Sequence, residues 1–320
     1  MKALRLVLSI VCLLGLATLL VSCGGGSSAP IFLTLFQRAA WSQAVDGRIA
    51  VTAYGGNGLL YVYSVISTGG GMFLMTPSLN DPANLLEGGQ HPAYSPSGAT
   101  VAFASRRAVS GNTGNSLALY TMNALTGDKT ALVKITDDTT PGADTQPNWS
   151  TDGARIVYST TRGTGIPHLR AANADGSGEI GDLLSDGEDN QWPSFNPLDN
   201  NQFVYQSTRD KVAADDTSIF IYDIAAATST PVAASQYADG GPSWSLDGSM
   251  IAFHSNRSGD FDIYVWRLAD STLLHVTNDS RSDGFPVWSQ DGTRLAFTRD
   301  RELWTTNLDG TDQKQLTSRF

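Results

Sequence analysis

Six copies of one turn-and-strand pattern predict an all-β fold, a six-bladed β-propeller with four-stranded antiparallel blades. The pattern is a proline, an aromatic residue two positions later, a serine, and then a turn dipeptide such as Asp-Gly. The aromatic recurs at steps of 44 to 55 residues, a period typical of repeating β architectures. Its positions are Trp41, Tyr94, Trp149, Phe195, Trp244 and Trp288, and the first copy lacks the proline.

Each repeat is predicted to form four strands. Strand one ends at the aromatic-serine pair, and Asp247-Gly248 illustrates the predicted two-residue hairpin turn with positive φ values. Strand two is a nearly continuous apolar run such as 251–254, which is typical of a strand packed on both faces. Strand three, as in 261–265, shows a clearer alternation of apolar and polar residues. A second turn follows, and then a short edge strand that ends in Val276-Thr277.

A single blade cannot bury both of its faces, so six blades are expected to stack around a channel. The proline is expected near the start of strand one, where the chain enters the sheet close to the axis, because proline has no backbone N–H to donate to a neighbouring strand. Two segments compete to supply the strand that closes the ring. They are Ile31–Thr34 and Leu316-Thr317, and the sequence leaves both open.

An arginine follows the strand-two aromatic by four residues in five copies. Because it recurs in nearly every blade, we interpret it as architectural, with each guanidinium tying the loop between strands two and three to an acid or a carbonyl. A ring of arginines that grips an anionic ligand is the alternative. The positions are Arg107, Arg162, Arg209, Arg257 and Arg301.

Composition limits the classes of function. The 320 residues include 21 basic and 31 acidic side chains, a net charge of −10, which argues against nucleic acid and anionic lipid surfaces as partners. The length suits one large β domain and leaves no room for a second of usual size. The only cysteines are Cys12 and Cys23, both ahead of the predicted propeller, so a thiol nucleophile or cysteine metal site is excluded within that domain.

The N-terminus has the features of an export signal: Lys2 and Arg5 precede an apolar run over residues 6–21. Residues 20–23, Leu-Val-Ser-Cys, resemble the lipobox of bacterial lipoproteins, which implies cleavage before Cys23 and its acylation. Gly24 in place of aspartate favours, by the same resemblance, the periplasmic face of the outer membrane. In an envelope without an outer membrane, the anchor would place the propeller outside the plasma membrane.

We therefore predict a lipoprotein signal peptide over residues 1–22, a lipidated Cys23 with a flexible Gly/Ser tether over 23–30, and the propeller over 31–320. Several acyl chains are needed for stable anchoring, because one chain binds only marginally. The alternative is that Cys23 is incidental to an ordinary signal peptide or N-terminal anchor.

With the repeats placed, the chain resembles the TolB-type, WD40-like (PD40) propeller repeat over residues 38 to 317. The best copy runs from Pro242 to Thr277 and contains Trp-Ser, Asp-Gly, Ile-Ala-Phe, an arginine and Asp-Ile-Tyr in the family's order. The resemblance is specific for fold and weak for activity, and it implies a channel mouth and loops that bind another protein. TolB itself has an additional N-terminal α/β domain and is soluble in the periplasm, so its particular role in an envelope complex does not transfer.

Polar residues just before the proline are expected at the mouth of the channel. Asp144, Asp239 and Asp283 stand three residues before it, Asp189 stands one further, and His91 directly precedes Pro92. We predict a partial ring of carboxylates that would bind Ca²⁺ or a basic peptide, because converging acids focus a negative potential. The alternative is that each aspartate caps its turn or pairs with the repeated arginine.

Catalysis has little support in the sequence. The four histidines have no close spacing, and neither H-E-x-x-H nor G-x-S-x-G occurs. We interpret His254 and His275 as structural and leave His91 undecided. The repeated aromatics are interpreted as packing between blades and not as platforms for sugars.

The predicted function is therefore that of a monomeric, non-catalytic envelope lipoprotein without a cofactor, which binds a protein or peptide through its channel face. The alternative is a secreted polysaccharide-binding protein, or a metal-dependent lyase or hydrolase that uses the channel. Lyases acting on pectin oligosaccharides have this kind of propeller and a histidine-rich metal site.

Overall fold

The computed structural model describes residues 39–42, 47–54, 60–67, 72–75, 89–106, 116–124, 132–137, 140–210, 216–233 and 236–317. The predicted signal peptide, Cys23, the tether, Ile31–Thr34 and Arg107 lie outside these residues. Within them, 24 strands form six sheets of four strands, and each sheet is one blade. No helix in this part of the chain is long and apolar enough to cross a membrane.

The first three blades follow one another along the chain. Blade 1 contains β1 (Ala40–Trp41), β2 (Arg48–Tyr54), β3 (Leu60–Ile66) and β4 (Met72–Leu74). Blade 2 contains β5 (Gln90–Tyr94), β6 (Thr100–Ser105), β7 (Ala118–Asn123) and β8 (Val133–Lys134). Blade 3 contains β9 (Asp144–Trp149), β10 (Arg155–Thr160), β11 (His168–Asn173) and β12 (Glu179–Leu184).

The last three blades repeat the same order. Blade 4 contains β13 (Asn190–Asn196), β14 (Asp199–Ser207), β15 (Ser218–Asp223) and β16 (Thr228–Val232). Blade 5 contains β17 (Asp239–Trp244), β18 (Met250–Ser255), β19 (Asp262–Arg267) and β20 (Thr272–His275). Blade 6 contains β21 (Asp283–Trp288), β22 (Arg294–Arg299), β23 (Glu302–Asn307) and β24 (Lys314–Gln315).

This architecture confirms the predicted six-bladed propeller, because every blade pairs its strands antiparallel and in chain order. The core consists of apolar clusters that lie between neighbouring blades. Val204 of blade 4 packs with Trp244 and Ile251 of blade 5, and Trp288 of blade 6 packs with Ile263 of blade 5. The repeated aromatic residue therefore holds adjacent blades together, as predicted.

The ring closes by side-chain packing between blades 1 and 6. Ile49 and Val51 share one buried cluster with Ala296 and Leu303. The outer strand of blade 6 is β24, which comes from the C-terminal end of the chain and pairs with β23. Just after it, the Oγ1 of Thr317 accepts a hydrogen bond of 2.9 Å from the backbone N–H of Leu303. Of the two candidate segments, the C-terminal one thus lies in the last blade.

The hairpin between strands one and two differs from the predicted two-residue turn. It is a four-residue turn, Ser245 to Gly248, in which the N–H of Gly248 donates to the carbonyl of Ser245 at 2.9 Å. Gly248 has a φ of +67°, whereas Asp247 is not among the residues with positive φ. The Asp247 Oδ1 instead accepts from the Ser245 hydroxyl at 2.6 Å and from the Ser249 N–H at 3.1 Å. The side-chain bonds of the serine and the aspartate therefore set the turn type.

Candidate functional site

Strand one begins with a bulge at the residue before the proline. The strand-one to strand-two register shifts there in blades 2 to 6. The pre-proline residue has a φ between 53° and 57° in each of these blades, a left-handed conformation that is uncommon for residues other than glycine. These residues are His91, Gln146, Trp192, Gly241 and Phe285.

The bulge turns these residues toward the axis, where side chains from non-adjacent blades meet. The Trp192 ring of blade 4 lies 5.4 Å from the His91 ring of blade 2, edge to face, and 4.8 Å from the Phe285 ring of blade 6. Gln146 of blade 3 accepts a hydrogen bond of 2.9 Å from the backbone N–H of Trp192. We call His91, Gln146, Trp192 and Phe285 the floor cluster, because these residues of four blades meet at this level. All of them except Phe285 line the cavity described next.

Above the floor cluster lies a cavity of about 500 Å³, lined by strand one of all six blades. Its walls include the residue between the proline and the aromatic, and its rim is formed by the residue after the motif serine. The wall residues are Ala40, Ala93, Asn148, Ser194, Ser243 and Val287. The rim residues are Pro96, Thr151, Pro197, Leu246 and Gln290. The cavity therefore opens on the side of the hairpins between strands one and two.

The described lining of this cavity contains no aspartate, glutamate, lysine or arginine. Prolines, aromatic rings, hydroxyls and amides make up most of its surface. The repeated tryptophans border it as well. The indole nitrogens of two of them bond to the neighbouring blade: Trp149 donates to the Ala93 carbonyl at 3.1 Å and Trp288 to the Ser243 carbonyl at 2.9 Å. An uncharged ligand surface is what this arrangement offers.

His91 is the unusual member of the floor cluster. His91 is one of the residues that line the cavity and is 5% exposed, but its Nδ1 and Nε2 are both buried and have no hydrogen-bond partner among the described residues. Its backbone N–H donates to the Thr52 hydroxyl of blade 1 at 3.1 Å. Burial lowers the pKa of His91 to about 3, so the imidazole is neutral at pH 7.

His254 lies beside the floor cluster and has a structural partner. Its Nδ1 accepts a hydrogen bond of 3.2 Å from the backbone N–H of Phe285, and the two rings lie 5.0 Å apart. Burial lowers the pKa of His254 to about 4. In blade 5 the corresponding N–H of Gly241 donates to the Gln206 Oε1 at 2.8 Å. The left-handed residue in these blades is thus held by a strand-two side chain of the preceding blade.

The predicted carboxylates do not form a ring that faces the channel. Asp144, Asp239 and Asp283 are at most 1% exposed, and none of them lines the cavity. Each is paired with an arginine. Arg162 contacts Asp144 at 2.8 Å, Arg257 contacts Asp239 at 2.9 Å, and Arg299 contacts Asp283 through two bonds of 2.6 Å. Burial raises the pKa of the Asp144 and Asp283 carboxyls, and the paired guanidinium opposes that rise.

Blade 4 departs from this scheme. The position equivalent to the buried aspartates is Asn190, whose Nδ2 donates to Asp186 at 2.7 Å, and Asp186 pairs with Arg209. Asp189 is one residue off and accepts a bond of 2.7 Å from the Gln191 side chain. Of the five predicted mouth residues, only His91 therefore borders the cavity. Pairing with the repeated arginine is seen for Asp144 and Asp239, whereas Asp283 pairs with Arg299 and Asp189 with Gln191.

The remaining histidines lie away from the channel floor. His275 stacks on Tyr264 at 4.4 Å and contacts Asp262 at 2.9 Å, while His168 lies 3.5 Å from Asp182. Among the described residues, no group of three or more His, Cys, Asp or Glu side chains is arranged to hold a metal ion. Binding of Ca²⁺ stays a prediction.

Comparison with known proteins agrees with this architecture. Residues 211–319 match the family model described as the TolB beta propeller domain, PD40. No curated protein matches the chain. The solved structures it resembles include a putative TolB from Agrobacterium tumefaciens, with 20% identity and a TM-score of 0.61, covering 77% of this chain and 84% of that one.

Two other solved structures resemble the chain as well. TolB from Acinetobacter baumannii shares 19% identity with a TM-score of 0.64, covering 85% of this chain and 64% of that one. An oligogalacturonate lyase in complex with manganese shares 13% identity with a TM-score of 0.58, covering 90% of this chain and 78% of that one. Identities this low report on fold alone, and the chain spans less than two thirds of the Acinetobacter protein. The chain is thus a six-bladed β-propeller whose residues 211–319 match the model of the TolB beta propeller domain.

Proposed function

We propose that this protein is a non-catalytic binding protein of the cell envelope, which holds a peptide segment of another envelope protein in its channel cavity. The observation that carries the proposal is the uncharged cavity of about 500 Å³, lined by prolines, aromatic rings and three members of the floor cluster, His91, Gln146 and Trp192. Its volume lies in the range of specific ligand sites, which are mostly apolar with a few placed polar groups. A few residues of a peptide chain fit such a space.

The residues that line the cavity limit the chemical class of its ligand. An ammonium or carboxylate entering this cavity would lose its hydration without meeting an opposite charge in the described lining, which is costly. The basic peptide predicted from the aspartates is therefore a poor match. A segment with uncharged, partly aromatic side chains is the better one, and the likeness to TolB supports protein binding in general.

The lining also disfavours acid–base catalysis. The efficient catalytic group has a pKa near the working pH, whereas burial lowers the pKa of His91 to about 3. No carboxylate borders the described cavity. The fold similarity to an oligogalacturonate lyase supports the alternative, a polysaccharide-binding protein or metal-dependent lyase or hydrolase, and a glycan captured in the channel would favour it.

The anchor completes the proposal. The lipobox-like residues before Cys23 and the Gly/Ser tether after it support a lipidated N-terminus that holds a monomeric propeller near the periplasmic face of the outer membrane. In that position the open cavity can reach partners in the periplasm, because the tether leaves the orientation of the propeller free.

Site-specific photocrosslinking tests the proposal. A photoreactive phenylalanine analogue replaces Gln290, which is exposed at the rim, or Gln315, which is exposed on β24 of the same blade. Crosslinking in intact cells is expected to capture a specific envelope protein from position 290 and not from position 315. Identical products from both positions, or capture of a glycan at 290, would overturn it.

A further inference from the structure

We infer that the walls of the cavity form a subsite for a proline residue of the bound segment. This inference rests on the proposed function, because it names the type of residue that the segment places between the walls. It starts from the wall residues, one per blade, which divide into two groups around the ring. Blades 3, 4 and 5 contribute Asn148, Ser194 and Ser243, which we call the polar wall, and blades 6, 1 and 2 contribute Val287, Ala40 and Ala93, which we call the apolar wall.

The polar wall has hydrogen-bond donors that the protein does not use. The Asn148 Oδ1 accepts a bond of 2.8 Å from the backbone N–H of Phe195, and the amide nitrogen of Asn148 has no partner among the described residues. The Ser194 hydroxyl oxygen accepts weakly from the Trp244 N–H at 3.5 Å, which leaves its proton to be donated. The Ser243 hydroxyl also has no partner in the described part of the chain. Neither it nor the Asn148 amide nitrogen is among the buried unpaired atoms, so both retain accessible surface.

Several acceptors around the cavity are already occupied by the protein's own donors. The backbone carbonyls of Ala93 and Ser243 accept bonds of 3.1 and 2.9 Å from tryptophan indoles of the next blades. The Gln146 Oε1 accepts from the backbone N–H of Trp192 at 2.9 Å. A ligand N–H placed between the walls would lose its bonds to water and meet few free acceptors, which weakens binding. The site therefore favours a ligand group that accepts hydrogen bonds and donates none.

Proline meets these requirements better than any other residue of a peptide. It has no backbone N–H, its carbonyl accepts hydrogen bonds, and its ring is apolar and uncharged. A polyproline II segment has no internal hydrogen bonds, so its carbonyls are available to the donors of the polar wall. Its rings can then pack against the apolar wall. The preformed polyproline II conformation also reduces the entropy that is lost on binding.

The test compares three uncharged probes by isothermal titration calorimetry on the purified full-length chain. The probes are the acetylated amides of triproline, tri-N-methylalanine and trialanine. N-methylalanine lacks the N–H as proline does, whereas alanine retains it. Triproline and tri-N-methylalanine are expected to bind about ten-fold more tightly than trialanine, because one N–H buried without a partner weakens binding by about that factor.

The variant Ser243→Ala removes one donor of the polar wall. It is expected to fold, because blades 1 and 2 have alanine at this position, and to bind triproline about five-fold more weakly, the effect of one neutral hydrogen bond. Adding Ala93→Ser restores the number of hydroxyls but places the new one in the apolar wall, so the lost affinity is not expected to return. The matched control Ser282→Ala, at an exposed serine outside the described lining, is expected to bind triproline like the wild type. A melting transition like that of the wild type verifies folding of each variant.

Equal binding of triproline and trialanine, or no detectable binding of any probe, would overturn the inference. So would tri-N-methylalanine that binds no better than trialanine, unchanged affinity in Ser243→Ala, or affinity that returns in the double variant. Tighter binding of a neutral trisaccharide such as maltotriose than of triproline would overturn it in favour of a saccharide.

The two proposals fail separately. A protein crosslinked from position 290 without a preference for triproline removes the proline subsite alone. A preference for triproline without any crosslinked protein removes the proposed function alone.

Discussion

Acidification from pH 8 to pH 5 is expected to destabilise the propeller through its two buried histidines, and His91→Phe is expected to remove half of that loss. Burial lowers the pKa of His91 to about 3 and that of His254 to about 4, from an ordinary value of 6.5. Below pH 6.5 the unfolded chain takes up protons at these sites while the folded protein does not. Their contribution to stability is therefore complete above about pH 7 and is lost progressively as the pH falls toward 3.

The size of the effect follows from proton linkage. Between pH 8 and pH 5, a histidine with a folded pKa of 3 or 4 costs about 2 kcal/mol of unfolding free energy, so the two together cost about 4 kcal/mol. In His91→Phe about 2 kcal/mol of this loss remains. The same substitution removes two unpaired buried nitrogens, which is expected to raise stability at pH 8 by about 1–3 kcal/mol.

Urea unfolding at pH 8, 6.5 and 5 and constant ionic strength measures these differences. Gln290→Ala, at the exposed rim, serves as the control and is expected to keep the wild-type dependence on pH. If the wild type and His91→Phe lose the same unfolding free energy between pH 8 and pH 5, the pKa of His91 is not lowered by folding, and the prediction is wrong.

Three further predictions address the architecture and the anchor. Asp283→Asn removes one of the two carboxylates that the fully buried Arg299 contacts and leaves Asp279, at 3.0 Å, as the other. It is expected to cost about 3 kcal/mol in urea unfolding, the lower end of the range for a broken buried ion pair, whereas Asp291→Asn, in an exposed turn of the same blade, is expected to cost about 1 kcal/mol. Gly292 has a φ of +68° and open space at its Cβ position, so Gly292→Ala is expected to lower stability by about 1 kcal/mol through backbone strain alone, and no loss would refute the turn geometry. Cys23→Ala is expected to abolish metabolic labelling with a fatty-acid analogue, and label that persists would rule out the proposed anchor.

The number of blades and the positions of their strands could be predicted from the sequence because every blade must pack against its neighbour in the same way. The aromatic residue at the end of strand one must cover the preceding blade, and Trp149, Trp244 and Trp288 all do so. A requirement repeated in every blade leaves a period in the sequence. The turn type was predicted incorrectly because Asp-Gly alone was considered, whereas Ser245 binds both Asp247 and the N–H of Met250.

The last blade shows why spacing alone misassigned one ion pair. In blade 6, Arg299 is the last residue of β22 and lies opposite Glu302, the first residue of β23, in the strand register. The hairpin loop therefore contains only Asp300 and Arg301, with φ values of 51° and 68°. Arg301 therefore lies in the turn, and Arg299 binds Asp283 in its place. Blade 3 has a longer loop between strands two and three, which lets Arg162 fold back onto its own aspartate. Loop length, which the motif does not record, decides which arginine is used.

The cavity floor was largely missed because its members share a backbone conformation and not a residue type. The position before the proline holds histidine, glutamine, tryptophan, glycine or phenylalanine, depending on the blade. Only His91 was singled out there, and only because it titrates. The sequence did contain a signal for this site, because the proline marks the position of the bulge. The residues that precede the proline in blades 2 to 6 include all four members of the floor cluster.

The contrast between repeated and variable positions shows where specificity resides in this propeller. The serine and aspartate of the turn, the interblade aromatic and the buried aspartate–arginine pairs recur because the architecture needs them. In blades 2 to 6 the pre-proline position keeps its φ but has a different residue each time, so the fold does not dictate the residue there. Unpaired nitrogens at His91 cost stability that the fold does not require, as their replacement by the phenylalanine found in blade 6 would demonstrate.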